Sequence, residues 1–125
     1  MKVQLISELS ALTTERETLL TIGVFDGVHL GHRYLIGKLT QRAAKGNLLS
    51  GVVTFNSNPK AVLSPRTKLA RLATLEERAS LLKSLGVDLV IPLTFTTEVA
   101  ALSARKFVLY LKKYLKMRGL VIGPN

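Results

Sequence analysis

The chain has 125 residues, 47% of them hydrophobic and 21% charged, with 18 Lys and Arg against 8 Asp and Glu for a formal net charge of +10. That length suits one domain whose core buries roughly two-thirds of the unfolded chain's surface, and no stretch reaches the ~20 apolar residues of a membrane span. The absence of cysteine excludes a disulfide framework and any thiolate metal site.

Met1 to Glu8 lacks the apolar region of a secretory signal, so a cytoplasmic location is expected. The positive excess attracts polyanions, among them nucleotides and nucleic acids. There is no tryptophan, and the few aromatic residues are not interleaved with the basic ones as a base-stacking platform requires. Nucleic acid is therefore not the expected partner.

In chain order, Lys2 to Ile6 reads as a short first strand, followed by a connection of weak helical character. Leu19 to Phe25 is an apolar and β-branched run suited to a buried central strand. It turns at Asp26-Gly27 and enters a helix near Leu30, with Leu35, Ile36, Leu39 and Ala43 at helical spacing and Gly46 placed as its stop. The chain's two histidines, His29 and His32, fall at this junction. Three residues apart, they share one face of the first helical turn. Unpaired amide N–H groups and the positive end of the helix dipole make that place receptive to phosphate. Gly23, Gly27 and Gly31 let a ligand approach the backbone. Without a cysteine or a third histidine the pair does not complete a zinc site, and no protein-held metal is expected.

Leu48 to Phe55 is the next strand candidate and leads into the turn-forming cluster Phe55 to Lys60. Ala61 to Leu72 reads as an exposed basic segment. Thr74 to Glu77 matches a capping box for a helix carrying Leu75, Ala79, Leu82 and Leu85 and stopped by Gly86. Val87 to Leu93 is a further strand. Ser103 caps a helix from Ala104 to about Met117, with Phe107, Val108, Leu111 and Leu115 facing inward and Arg105, Lys106, Lys112, Lys113 and Lys116 largely on the other side. Gly119 to Asn125 closes as a strand entering a turn. This alternation predicts an α/β fold, a Rossmann-like parallel sheet flanked by helices, with ligands at the carboxyl ends of its strands.

The decapeptide Gly23-Val24-Phe25-Asp26-Gly27-Val28-His29-Leu30-Gly31-His32 closely resembles the signature of the bacterial FAD synthetase (FMN adenylyltransferase) module, found at the N-terminus of bifunctional riboflavin kinase/FAD synthetases. The shorter His29-x-Gly31-His32 element is similar to that of the wider nucleotidyltransferase superfamily. The resemblance implies transfer of AMP from ATP to FMN, giving FAD and pyrophosphate, with Mg²⁺ accompanying the ATP. It implies catalytic roles for His29 and His32. Nucleotide binding would fall to Gly23, Val24, Phe25, Asp26, Gly27, His29, Gly31, His32, Gly123 and Asn125, and flavin binding to Phe55, Asn56, Asn58 and Pro59.

Where the family commonly carries a Phe-Asp-Pro-His-Pro-like loop, this chain has Phe55-Asn56-Ser57-Asn58-Pro59, and Thr96 stands where an Asp is frequent. The family's later Phe-x-Phe-Gly and Ser/Thr-Arg motifs and its riboflavin kinase domain do not occur within these residues. The expectation is thus a partial nucleotidyltransferase domain over residues 1–125, truncated at its C-terminus. A cytidylyltransferase-like enzyme with another acceptor, and a nucleotide- or flavin-binding module without turnover, are the alternative readings.

Overall fold

Leu5, Leu9 and Leu12 stand four and three residues apart, a helical spacing. In the computed structural model, which describes residues 3–23, 30–55 and 75–122, they belong to helix α1 (Val3–Ala11) and the turn just after it. The expected first strand at Lys2 to Ile6 is therefore corrected to a helix. Its five apolar-rich residues fit either structure, and packing Leu5, Leu9 and Leu12 against one core requires the helical period, since Leu5 and Leu12 would fall on opposite faces of a strand.

The chain then alternates: β1 (Thr18–Ile22), α2 (Leu30–Lys45), β2 (Leu49–Phe55), α3 (Leu75–Ser84), β3 (Leu89–Leu93), a short α4 (Thr97–Ala101), α5 (Ala104–Leu115) and β4 (Met117–Leu120). The four strands form one sheet in the order β3-β2-β1-β4, and every neighbouring pair is parallel. Thr18 to Ile22 pairs with Leu49 to Val53, and Gly51 to Phe55 pairs with Leu89 to Leu93. This is the predicted α/β parallel sheet. It places β1 and β2 at the centre, where their residues are almost all buried.

Both faces are covered, as a parallel sheet requires. On one face Val52, Val87 and Val121 pack with Ile36 and Leu39 of α2 and Leu82 of α3. On the other, Leu20, Val53, Ile91, Leu93 and Met117 pack with Leu5 and Leu9 of α1, Val99 of α4 and Leu111 and Leu115 of α5. The crossover helices change face where the strand order reverses, after β3, which is the winding that right-handed connections impose. Gly51 is needed at the centre, because a Cβ there would lie 2.5 Å from Leu20 Cδ2 and 3.2 Å from Ile91 Cδ1.

The element ends follow cap chemistry. Helix α2 closes as a Schellman motif, with Leu48 N–H donating to Ala43 O at 2.8 Å and Asn47 N–H to Ala44 O at 3.2 Å. The left-handed residue is Asn47 (φ 58°), so the stop expected at Gly46 belongs one residue later. Gly86 (φ 102°) ends α3 as predicted, with Val87 N–H on Leu82 O. Ser103 caps α5 by accepting from Lys106 N–H at 3.1 Å, as expected, and Thr96 caps α4 by accepting from Val99 N–H at 3.1 Å. The last helix stops at Leu115, because Lys116 takes a left-handed conformation (φ 52°) and passes the chain straight into β4. Among the described residues β3 is an edge of the sheet, and its Pro92 is in register with Thr54.

Candidate active site

A sheet ordered 3-2-1-4 has its topological switch between β1 and β4, and open α/β sheets bind ligands at the carboxyl edge beside that point. The residues on this edge come from four strand ends. Gly23 follows β1 and donates its N–H to Val53 O at 2.9 Å. The exit of β4 is bound to β1 by Val121 N–H on Leu20 O (2.8 Å) and by the Thr21 hydroxyl on Val121 O (2.7 Å). Beyond it Ile122 is exposed. Gly123 and Asn125, expected to bind nucleotide, follow directly in the chain but lie outside the described residues, as do Val24 to His29, including Phe25, Asp26 and Gly27.

His32 and Gly31 lie in the first turn of α2, which begins at Leu30, where the sequence places it. The His32 side chain is half-buried. Helix α2 rises beside the switch point, and its N-terminal turn belongs to the carboxyl edge of the sheet. Three of the expected nucleotide-binding residues, Gly23, Gly31 and His32, thus come from the strand end and helix start that flank the residue 24–29 connection.

The residues expected to contact flavin begin at the end of β2. The Phe55 ring is half-buried and stands edge-on to Phe95 (centroids 5.4 Å, 82°), with Phe107 of α5 at 6.3 Å. Phe55 thereby joins the core on the α5 face, while Phe95 remains 38% exposed at the rim. Asn56, Asn58 and Pro59, the other expected flavin contacts, lie outside the described residues. Next along the edge, Thr94 at the end of β3 gives its N–H (2.9 Å) and hydroxyl (2.7 Å) to the Glu8 carboxylate of α1.

One residue on this edge escapes a reading of motifs. Arg78 of α3 is buried and donates from its Nη1 to Thr54 Oγ1 (3.2 Å) and to Phe55 O (3.4 Å). Its signal in the sequence is positional, since 78 falls on the apolar stripe shared by Leu75 and Leu82. Among the described residues no three His, Cys, Asp or Glu side chains cluster to hold a metal ion. The described edge thus combines internally bonded amides and hydroxyls, a buried guanidinium and the Glu8 carboxylate with the helix start that carries half-buried His32.

Comparison with known proteins places this architecture. Residues 11–125 match the family described as FAD synthetase. The chain belongs to the FAD synthetase family. It is 39% identical over 107 residues to the bifunctional riboflavin kinase/FMN adenylyltransferase of Escherichia coli K12, covering 85% of this chain and 34% of that protein. The counterpart from Listeria monocytogenes is 38% identical over 96 residues, which cover 76% of this chain and 31% of that one. This family member therefore spans about a third of the length of the curated relatives it matches. Among solved structures, one described as a macrolide-efflux protein from Streptococcus pneumoniae superposes with a TM-score of 0.73 at 32% identity, over 86% of this chain and 36% of that one. Among the described residues of this FAD synthetase family member, no helix is long and apolar enough to cross a membrane.

Proposed function

We propose that this chain carries the adenylyl-transfer site of an FMN adenylyltransferase: an FMN phosphate oxygen attacks the α-phosphorus of ATP in line, the bond to the β-phosphate oxygen breaks, and pyrophosphate leaves as FAD forms. The observation that carries the reading is the His29-x-Gly31-His32 element at the strand-to-helix junction beside the switch of a parallel sheet, in a member of the FAD synthetase family. The acceptor phosphate is itself the nucleophile, so the protein has no bond of its own to make. Its work is positioning and stabilising charge.

In this reading the amides at the start of α2 and the imidazoles of His29 and His32 donate to the triphosphate and hold the negative charge that develops on the leaving pyrophosphate. Gly23, Val24, Phe25, Asp26, Gly27 and Gly31 shape the adenylate pocket, with Gly123 and Asn125 closing it from the β4 side of the switch. Phe55, Asn56, Asn58 and Pro59 receive the flavin at the neighbouring strand end. Mg²⁺, when bound, neutralises phosphate charge, and the described donor set fits an ion held by substrate oxygens and water rather than by a protein cage.

Incubation of the chain with ATP, Mg²⁺ and FMN, with FAD followed by chromatography and a His32→Ala control, tests the proposal. FAD formed by the parent and lost in the variant supports it. Binding of ATP and FMN without FAD would assign the chain a binding role instead, and protection by CTP but not ATP would point to another nucleotidyl donor.

A further inference from the structure

Arg78 is the one charged side chain buried among the described residues, at 5% exposed. Taking a guanidinium out of water is costly before its hydrogen bonds are counted, so a buried arginine has to be held by its contacts. Those contacts are specific in place. Thr54 and Phe55 are the last two residues of β2, and the chain runs from them directly into Asn56 to Pro59.

The face is informative as well. Thr54 lies two residues along from Val52, whose side chain packs between α2 and α3, so the Thr54 hydroxyl belongs to the face that α2 covers. Phe55 turns the other way, into the aromatic group with Phe95 and Phe107. The end of β2 is thus fixed from both sides, by aromatic packing under the Phe55 ring and by Arg78 Nη1 donating to the Thr54 hydroxyl and the Phe55 carbonyl. Ile22 pairs with Val53, so the next residues along, Gly23 and Thr54, stand at one level of the sheet. The guanidinium is therefore anchored on the α2 side of the sheet, beside the end of β1.

We propose that Arg78 is a positioning residue for the acceptor. It sets the end of β2 so that the flavin, a ribityl phosphate monoester, lies with its phosphate toward the β1–α2 junction, and its fixed positive charge favours that orientation. The proposal rests on the adenylyl-transfer reading, which names FMN as the acceptor. It assigns Arg78 no contact with the reacting atoms. A core role alone would weaken ATP and FMN alike through stability, whereas a positioning role at the end of β2 weakens FMN selectively.

The test compares the parent chain with Arg78→Met, which keeps the aliphatic stem, and Arg78→Lys, which keeps charge but loses the planar guanidinium. FMN affinity is read from quenching of flavin fluorescence, ATP affinity by calorimetry and folding by circular dichroism. In folded Arg78→Met, FMN affinity should fall about tenfold while ATP affinity stays within about twofold, the scale expected for losing a charged hydrogen bond, and Arg78→Lys should recover part of the loss. Unchanged FMN affinity, or equal losses for both ligands, overturns the assignment. If Arg78→Met does not fold, Thr54→Val removes the same anchor from the strand side. A selective loss of FMN affinity there supports the proposal and an unchanged affinity overturns it. A parent that binds neither ATP nor FMN overturns the adenylyl-transfer reading and this proposal with it, whereas a parent that binds both beside unaffected variants overturns this proposal alone.

Discussion

The two ends of the sheet are built from the same strands and do different things. At the amino edge, polar groups close on one another. Ser50 N–H and hydroxyl meet the Asp88 carboxylate at 2.9 and 3.1 Å while Asp88 N–H returns to Ser50 Oγ at 3.0 Å. The buried Thr18 hydroxyl donates to Leu115 O at 2.9 Å, and Arg118 pairs with Glu17 at 2.9 Å. At the carboxyl edge Thr94 closes on Glu8 and buried Arg78 on the end of β2 in the same way, but a glycine after β1, the first turn of a helix with half-buried His32 and an exposed aromatic rim at Phe95 stand there too. Paired groups stabilise the edge they sit on, so what distinguishes the carboxyl edge is its glycine, its helix start and its aromatic rim.

Four changes would break or sharpen that contrast. The core between the edges should give the largest effect on stability. Leu20→Ala removes a fully buried side chain from under Gly51 and should cost about 2–5 kcal/mol in denaturant unfolding, lowering both edges together. Next, His32→Ala at the carboxyl edge should reduce ATP-dependent turnover about 100-fold, on the scale of one lost transition-state donor, with unfolding free energy within about 1 kcal/mol of the parent. A variant with full turnover would remove the imidazole from the site. Ser50→Ala at the amino edge should do the reverse, costing about 1–2 kcal/mol of stability by leaving Asp88 with fewer donors while ATP affinity by calorimetry is unchanged. Smallest of all, Glu17→Gln breaks an ion pair whose partners are 62% and 50% exposed, so thermal unfolding in low salt should report a loss of about 0.2–1 kcal/mol that vanishes in high salt.

Much of this organisation is legible in the sequence, for identifiable reasons. The strand-to-helix junction is marked by a continuous apolar run that must be strand and then by Leu35, Ile36 and Leu39 at a period that must be helix, and the structure begins α2 at Leu30. Capping at Ser103 and the stop at Gly86 were readable because each rests on one residue's local chemistry. The first element was misread because Val3 to Ile6 is too short for its period to decide, and only the repeat extended through Leu9 and Leu12 selects a helix. Asn47 took the left-handed position beside a glycine because asparagine tolerates that conformation too. Arg78 was invisible to motif reading, since its role follows from which strand end α3 lies against, and that is a tertiary fact. The pocket residues expected at 24–29, 56–59 and 123–125 rest on the family signature.

Pro92 carries a consequence for behaviour in concentrated solution. Among the described residues β3 and β4 are the two edges of the sheet, and an edge strand is a template on which another chain can add. A proline lacks the amide that such an added strand would have to engage, and within sheets it is tolerated where that amide would have pointed away from the ladder. The β3 side is therefore a poor seed for strand addition between molecules.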